Sequence, residues 1–180
     1  MKNALRILVL ASLTVSLSSC ESISSLFDVE IDTTIEGDLS FVTDETELKS
    51  TADVGFSSSA TVHVLNDDTY EYEDNIKDFM TSDVTIEVLA VDSSDVILRD
   101  GTSFTIENMN AGYVWTLTTD WPIEPGFSLT LDAASYDAID DILDDMADFT
   151  ISTLGTCNKG GVHITLRFGI ETRVVATPLE

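Results

Sequence analysis

From Val162 to Ile170 every second residue is apolar: Val162, Ile164, Leu166, Phe168, Ile170. Val174 and Ala176 keep the same parity, so the alternation runs on almost to the end of the chain. Side chains of a β-strand alternate between its two faces, and a long period-two run therefore specifies a strand with one face packed and one wet. No helix accommodates that pattern. The rest of the chain must supply a sheet to pair with it and a second layer to cover its apolar face.

The same alternation recurs upstream. Phe27, Val29, Ile31, Ile35, Leu39 and Phe41 fall on odd positions, with Asp28, Glu30, Asp32, Glu36 and Asp38 between them. Gly37 reads as a bulge or a turn between two strands. Residues 43–58 are polar and read as a loop or weak edge strand. Ala60, Val62 and Val64 resume the pattern, with His63 on the polar side. Val84 to Val91 is apolar on both sides, which points to a strand central in its sheet or sandwiched under a helix. Short strands follow at Val96–Leu98, at Phe104 and Ile106, at Tyr113, Trp115 and Leu117, and at Phe127, Leu129 and Leu131, divided by turn clusters. Asp120 to Gly126 carries two prolines and reads as a connection.

Two segments change period. Tyr72, Ile76, Phe79 and Met80 share one helical face, predicting a short helix near 68–80. Tyr136, Ile139, Leu143 and Met146 predict a clear α-helix near 132–148, with Asp132 as its N-cap. Its wet side carries Asp137, Asp140, Asp141, Asp144, Asp145 and Asp148, and no Lys or Arg occurs between Arg99 and Lys159. Like charges at i, i+4 repel, so this face calls for screening by salt rather than a shaped calcium cage. Strands at intervals of about 8–12 residues with frequent turns predict a mainly β protein, an antiparallel β-sandwich of immunoglobulin-like or related type.

The first twenty residues follow another logic. Lys2 and Arg6 precede an apolar stretch, Ile7 to Leu17, then Ser18, Ser19 and Cys20. This is the layout of a secretory signal, and it is too short to span a bilayer. The ending Leu17-Ser18-Ser19-Cys20 resembles the lipobox of bacterial lipoproteins. That resemblance implies cleavage before Cys20, acylation of Cys20, and a membrane anchor of two or more chains, which holds durably. It divides the chain into a signal at 1–19, a lipidated cysteine and polar tether at 20–26, and one domain at 27–180. The expected location is the bacterial cell envelope, at the outer membrane on its periplasmic face or the cell surface. The order of elements resembles the uncharacterised β-sandwich lipoproteins of Bacteroidetes-type bacteria, which implies the sandwich and no assigned chemistry.

Charge bounds the partners. The chain has 33 Asp and Glu against 8 Lys and Arg, a net charge of −25, and the leader removes two of those cations. Nucleic acid is excluded, because binding it requires a basic footprint. With Cys20 acylated, Cys157 has no intramolecular partner and reads as an unremarkable free thiol in the turn Gly155 to Gly161, the alternatives being an intermolecular disulfide or a reactive thiol whose pKa is lowered by nearby Lys159. His63 and His163 sit on polar strand faces without ligand spacing. No zinc, dinucleotide or nucleophile-elbow motif occurs, so no cofactor, metal site or catalytic residue is assigned. A carboxylate pair cannot be singled out among so many acids. Trp121, beside Pro122 in a connection, is the candidate ligand contact, since an exposed aromatic offers a flat face to a sugar; Tyr113 and Trp115 share parity with Leu117 and read as core. The leading expectation is a non-enzymatic structural or interaction module anchored in the envelope, with a protein or glycan partner there. The second is a binding module for carbohydrate or another surface ligand, and the third an enzyme of unknown class.

Overall fold

The computed structural model describes residues 28–44, 53–133 and 136–178. Within these residues ten strands form two antiparallel sheets. They are β1 (Val29–Val42), β2 (Val54–Val62), β3 (Ile76–Val91), β4 (Val96–Leu98), β5 (Ser103–Glu107), β6 (Gly112–Thr116), β7 (Trp121–Ile123), β8 (Ser128–Thr130), β9 (Phe149–Cys157) and β10 (His163–Ala176). Among the described residues one α-helix, α1 (Asp137–Asp144), precedes β9. Among the described residues no helix is long and apolar enough to cross a membrane.

The first sheet has the order β1-β10-β3-β8. The alternating strand β10 lies at its heart, paired with β1 over all fourteen residues from Val29↔Ala176 to Val42↔His163. β3 is central as well, between β10 and β8, as its apolar sequence requires. The second sheet is built around β9. β2 pairs along one edge of β9, while β5 and the end of β4 share the other, and β6 and β7 extend from them. The layering is that of the expected sandwich. Its connectivity places the last strand between the first and third, unlike the ABED/CFG order of immunoglobulin domains.

Aromatic pairs join the layers. Phe41 of β1 stacks on Phe56 of β2 with centroids 4.8 Å apart. Phe104 of β5 meets Phe168 of β10 edge to face at 6.1 Å. Around them lie Leu39, Ile86, Ile106, Ile151 and Leu166, all fully buried. Offset and edge-to-face pairs add to what burial alone contributes.

Two sequence expectations change and two are narrowed. Gly37 is neither bulge nor turn, since β1 runs through it unbroken. Its role is clearance: a Cβ there would lie 2.4 Å from Val62 Cγ2 and 2.7 Å from Ile151 Cδ1, so only glycine lets the second sheet approach. Of the two readings of residues 43–58, the edge strand holds for 54–58: they begin β2, which pairs with β9 alone among the described residues, and Val54 and Phe56 are buried. The short helix is a single 3-10 segment, Tyr70–Asn75. Ile76, Phe79 and Met80 belong to β3, where Phe79 is buried and Met80 exposed. The connection at 120–126 contains β7, in which Trp121 pairs with Leu98.

The main helix is present but shorter than expected. It begins with Tyr136 at the N-cap position and no side-chain cap. Asp132 cannot start it, because the preceding segment still serves the sheet. The Leu131 N–H donates to the Val84 carbonyl at 2.7 Å, and the Asp132 carbonyl accepts from Trp115 Nε1 at 3.2 Å. Ile142 is buried beside Ile139 and Leu143. The chain leaves the helix through Met146 at φ +52°, the left-handed position that commonly ends helices.

Candidate functional site

The acidic helix face is largely engaged within the fold. β8 covers only the middle of β3, leaving the amides of Phe79 and Thr81 on an open edge. The Phe79 N–H donates to Asp144 Oδ1 at 3.1 Å and the Thr81 N–H to Asp140 Oδ1 at 2.7 Å. Asp145 accepts from Nδ2 of Asn108 and Asn110 at 2.8 and 2.9 Å. Asp148 lies 2.7 Å from His63 Nδ1 in an exposed pair. The expectation that salt alone must screen these charges is corrected accordingly: backbone and side-chain amides and the His63 ring neighbour at least four of the six. Burial nevertheless pushes the Asp144 carboxyl above its ordinary range, opposed by the Phe79 N–H and aided by Asp78, Asp140 and Asp141.

The cations are committed in the same way. On the outward side of the first sheet, Arg167 grips Asp38 with two bonds of 2.8 and 3.1 Å and reaches Glu36 at 3.1 Å. Arg173 repeats the arrangement with Asp32 at 2.8 Å and Glu30 at 3.2 Å. These are register-matched cross-strand pairs. The Arg167 guanidinium holds the Asp38 carboxyl below the usual carboxylate range. Arg99 joins Asp53 at 2.8 Å and Asp120 at 2.7 Å. The Asp100 N–H, and then Arg99, lower the pKa of Asp120.

Cys157 is the last residue of β9 and fully buried, not part of a turn. Its thiol donates to the Lys159 carbonyl at 2.9 Å. The Lys159 ammonium turns away to the Ser94 carbonyl. Burial pushes the thiol pKa up, the reverse of activation. His163 stands opposite Val42 at one end of β1, whereas His63 follows β2 beside Asp148. Among the described residues no three His, Cys, Asp or Glu side chains gather as a metal site. Trp121 is half-buried, and its ring meets Phe104 at right angles 6.4 Å away. Cys20 lies outside the described residues.

Two surfaces remain as candidates. The first is an open depression of about 660 Å³ across β1, β10 and β3, lined by Asp32, Thr34, Met80, Ser82, Glu171 and Arg173 among others. The second is the outward face of the other sheet. Register places Ser59, Ser152, Thr105 and Val114 in one row across β2, β9, β5 and β6. The next row is Ser57, Leu154, Ser103 and Thr116. Both rows are free of charge, although 23% of the chain is charged. Leu154 is 63% exposed and Val114 57%. Sequence reading missed this face because its residues come from four strands whose order no local pattern reveals. The run Ser57-Ser58-Ser59 was its only visible trace.

No protein-family model matches the sequence, and none of the curated proteins matches it significantly. Among solved structures, the chain is similar to the decameric BFDV capsid protein, with 9% identity and a TM-score of 0.42, over 81% of this chain and 99% of that one. It is also similar to a structure of Desmodium yellow mottle tymovirus, with 9% identity and a TM-score of 0.29, over 83% and 91% of the two chains.

Proposed function

We propose that this protein is a lipid-anchored, non-enzymatic interaction module of the bacterial cell envelope, seated at the outer membrane. The observation that carries the reading is the leader ending Leu17-Ser18-Ser19-Cys20, with its cationic start and apolar middle. Supporting it, the groups best suited to chemistry are engaged in holding the sandwich: the Cys157 thiol on a carbonyl, Arg167 and Arg173 in cross-strand pairs, Asp140 and Asp144 on strand amides. What remains to meet a partner is surface. A glycan ligand is the second reading, and it rests on Trp121, whose ring has one side packed toward Phe104.

The test is direct. Intact-mass analysis of the membrane-extracted protein should give a chain that begins at an acylated Cys20, and Cys20→Ala should block both acylation and cleavage. An unmodified Cys20, or cleavage elsewhere, would overturn the anchor.

A further inference from the structure

We infer that Met109 is a modification site at which a peroxide-class oxidant adds oxygen to this protein, ahead of every other sulfur among the described residues and without disturbing the fold. The inference goes beyond the interaction-module reading and does not rest on it.

The described residues hold the sulfurs of Met80, Met109, Met146 and Cys157, and the fold treats them differently. Cys157 is fully buried, with its thiol bonded to the Lys159 carbonyl. Met146 is partly buried and packs against the core. Met80 is 53% exposed on the outward side of β3, with Arg173 as its register partner, and lines the depression there. Met109, at the tip of the β5–β6 hairpin, is 100% exposed. A thioether is oxidised by direct contact with the oxidant, so access ranks the three methionines.

The turn that carries Met109 is fixed by its neighbours. Asn108 Oδ1 accepts from the N–H groups of Asn110 and Ala111, both at 2.8 Å. The Asn108 N–H donates to the Ala111 carbonyl at 2.9 Å. The side-chain amides of Asn108 and Asn110 both donate to Asp145 Oδ2, just beyond the end of α1. None of these bonds involves the Met109 side chain. Oxidation to the sulfoxide makes an apolar side chain polar. At Met146 that would set a polar group against the core, where a buried polar group without a partner costs stability. At Met109 the new oxygen meets water, and the bonds that shape the turn are untouched. The step balances with hydrogen peroxide. A sulfur lone pair attacks one peroxide oxygen, the S–O bond forms as the O–O bond breaks, and the departing hydroxide takes the proton left on the transferred oxygen and leaves as water. Sulfur is oxidised by the loss of that electron pair, and the peroxide is reduced.

The experiment is timed exposure of the full chain in mild detergent to dilute hydrogen peroxide, quenched with free methionine, with peptide mass spectrometry following Met80, Met109 and Met146 separately. Met109 should take up oxygen first, several-fold ahead of Met80 and roughly tenfold ahead of Met146. Protein oxidised at Met109 alone should keep the circular dichroism spectrum and Tm of the untreated chain. Met109→Leu should remove the fast phase and leave the rates at Met80 and Met146 unchanged. Unfolding in urea before exposure should level the three rates, because access then no longer differs. Oxidation of Met80 or Met146 as fast as Met109 in the native protein would overturn the inference. So would a fall in Tm that tracks oxidation of Met109, or a rank order that survives unfolding. None of these outcomes bears on acylation of Cys20, so failure here is distinct from failure of the anchor.

Discussion

Asp140 accepts a hydrogen bond from the backbone N–H of Thr81 at 2.7 Å, and one helical turn on Asp144 does the same for Phe79 at 3.1 Å. The match is geometric. Four residues of helix rise about 6 Å, and two residues of strand rise about 6.8 Å. A helix lying along a strand edge can therefore place carboxylates at i and i+4 over alternate amides. In this way α1 closes the part of β3 that the three-residue β8 leaves open. An uncovered edge is a template for pairing with another chain.

This arrangement separates two substitutions. Asp140→Ala should lower stability by about 1–3 kcal/mol, the cost of a partly buried amide left without its acceptor. Asp140→Asn keeps an acceptor oxygen and should recover much of the loss. Urea unfolding of both variants checks this, together with faster hydrogen exchange at the Thr81 amide in the alanine variant alone.

Asp144 should behave differently with pH. Its folded-state pKa lies above the ordinary 3.8, so the folded protein holds that proton more tightly than the unfolded chain. Ionising it therefore costs stability. The cost is absent below the unfolded value and complete above the raised one. Asp144→Asn, which keeps an oxygen for the Phe79 N–H, should stabilise the protein at pH 7, and the advantage should vanish as pH falls below 3.8. Asp38 has the opposite sign: its pKa is lowered by Arg167, so Asp38→Asn should cost stability at neutral pH and nothing once the wild-type carboxyl is protonated. Chemical denaturation as a function of pH reads both.

Behind β9, Thr102 Oγ1 is buried without a hydrogen-bond partner among the described residues. Thr102→Val removes that hydroxyl at nearly constant shape and should raise stability by about 1 kcal/mol. Gly155→Ala should act the other way, because its Cβ would stand 2.3 Å from the same oxygen and 2.8 Å from Thr102 Cβ. Overpacking of that kind costs about 1–3 kcal/mol. Thermal melts of the two single variants test the pair.

Trp121→Ala should be destabilising, by about 1–3 kcal/mol for a half-buried ring that loses its edge-to-face contact with Phe104. A Tm unchanged from wild type, accompanied by lost retention on glycan, would instead assign the ring to a ligand.

Cys157 should resist thiol reagents in the native protein and react only as the chain unfolds, because it is buried and hydrogen-bonded with its pKa raised. The rate of reaction with a disulfide reagent, followed against denaturant, should track unfolding. Rapid stoichiometric labelling in buffer would contradict its placement.

The sequence by itself determined the long alternating strands β1 and β10 and which of their faces are wet. Val162 to Ala176 and Val29 to Phe41 could pack in only one parity, because a one-residue slip would expose every apolar side chain. The helix stripe of Ile139 and Leu143 was equally local. Ile76, Phe79 and Met80 were misplaced because four apolar residues in nine fit a helical period as well as a strand. What decided between them was the pairing of Ile76 to Met80 with β10. The same holds for the aspartates of α1. Charge repulsion along a helix can be counted from spacing, but the amides that receive Asp140 and Asp144 belong to a strand some sixty residues away. Only the tertiary fold, by leaving that strand edge open beside the helix, gave those charges their partners. It likewise assembled four separate stretches of serine, threonine, valine and leucine into one uncharged plane, since strand order is set by long-range pairing and not by any local period.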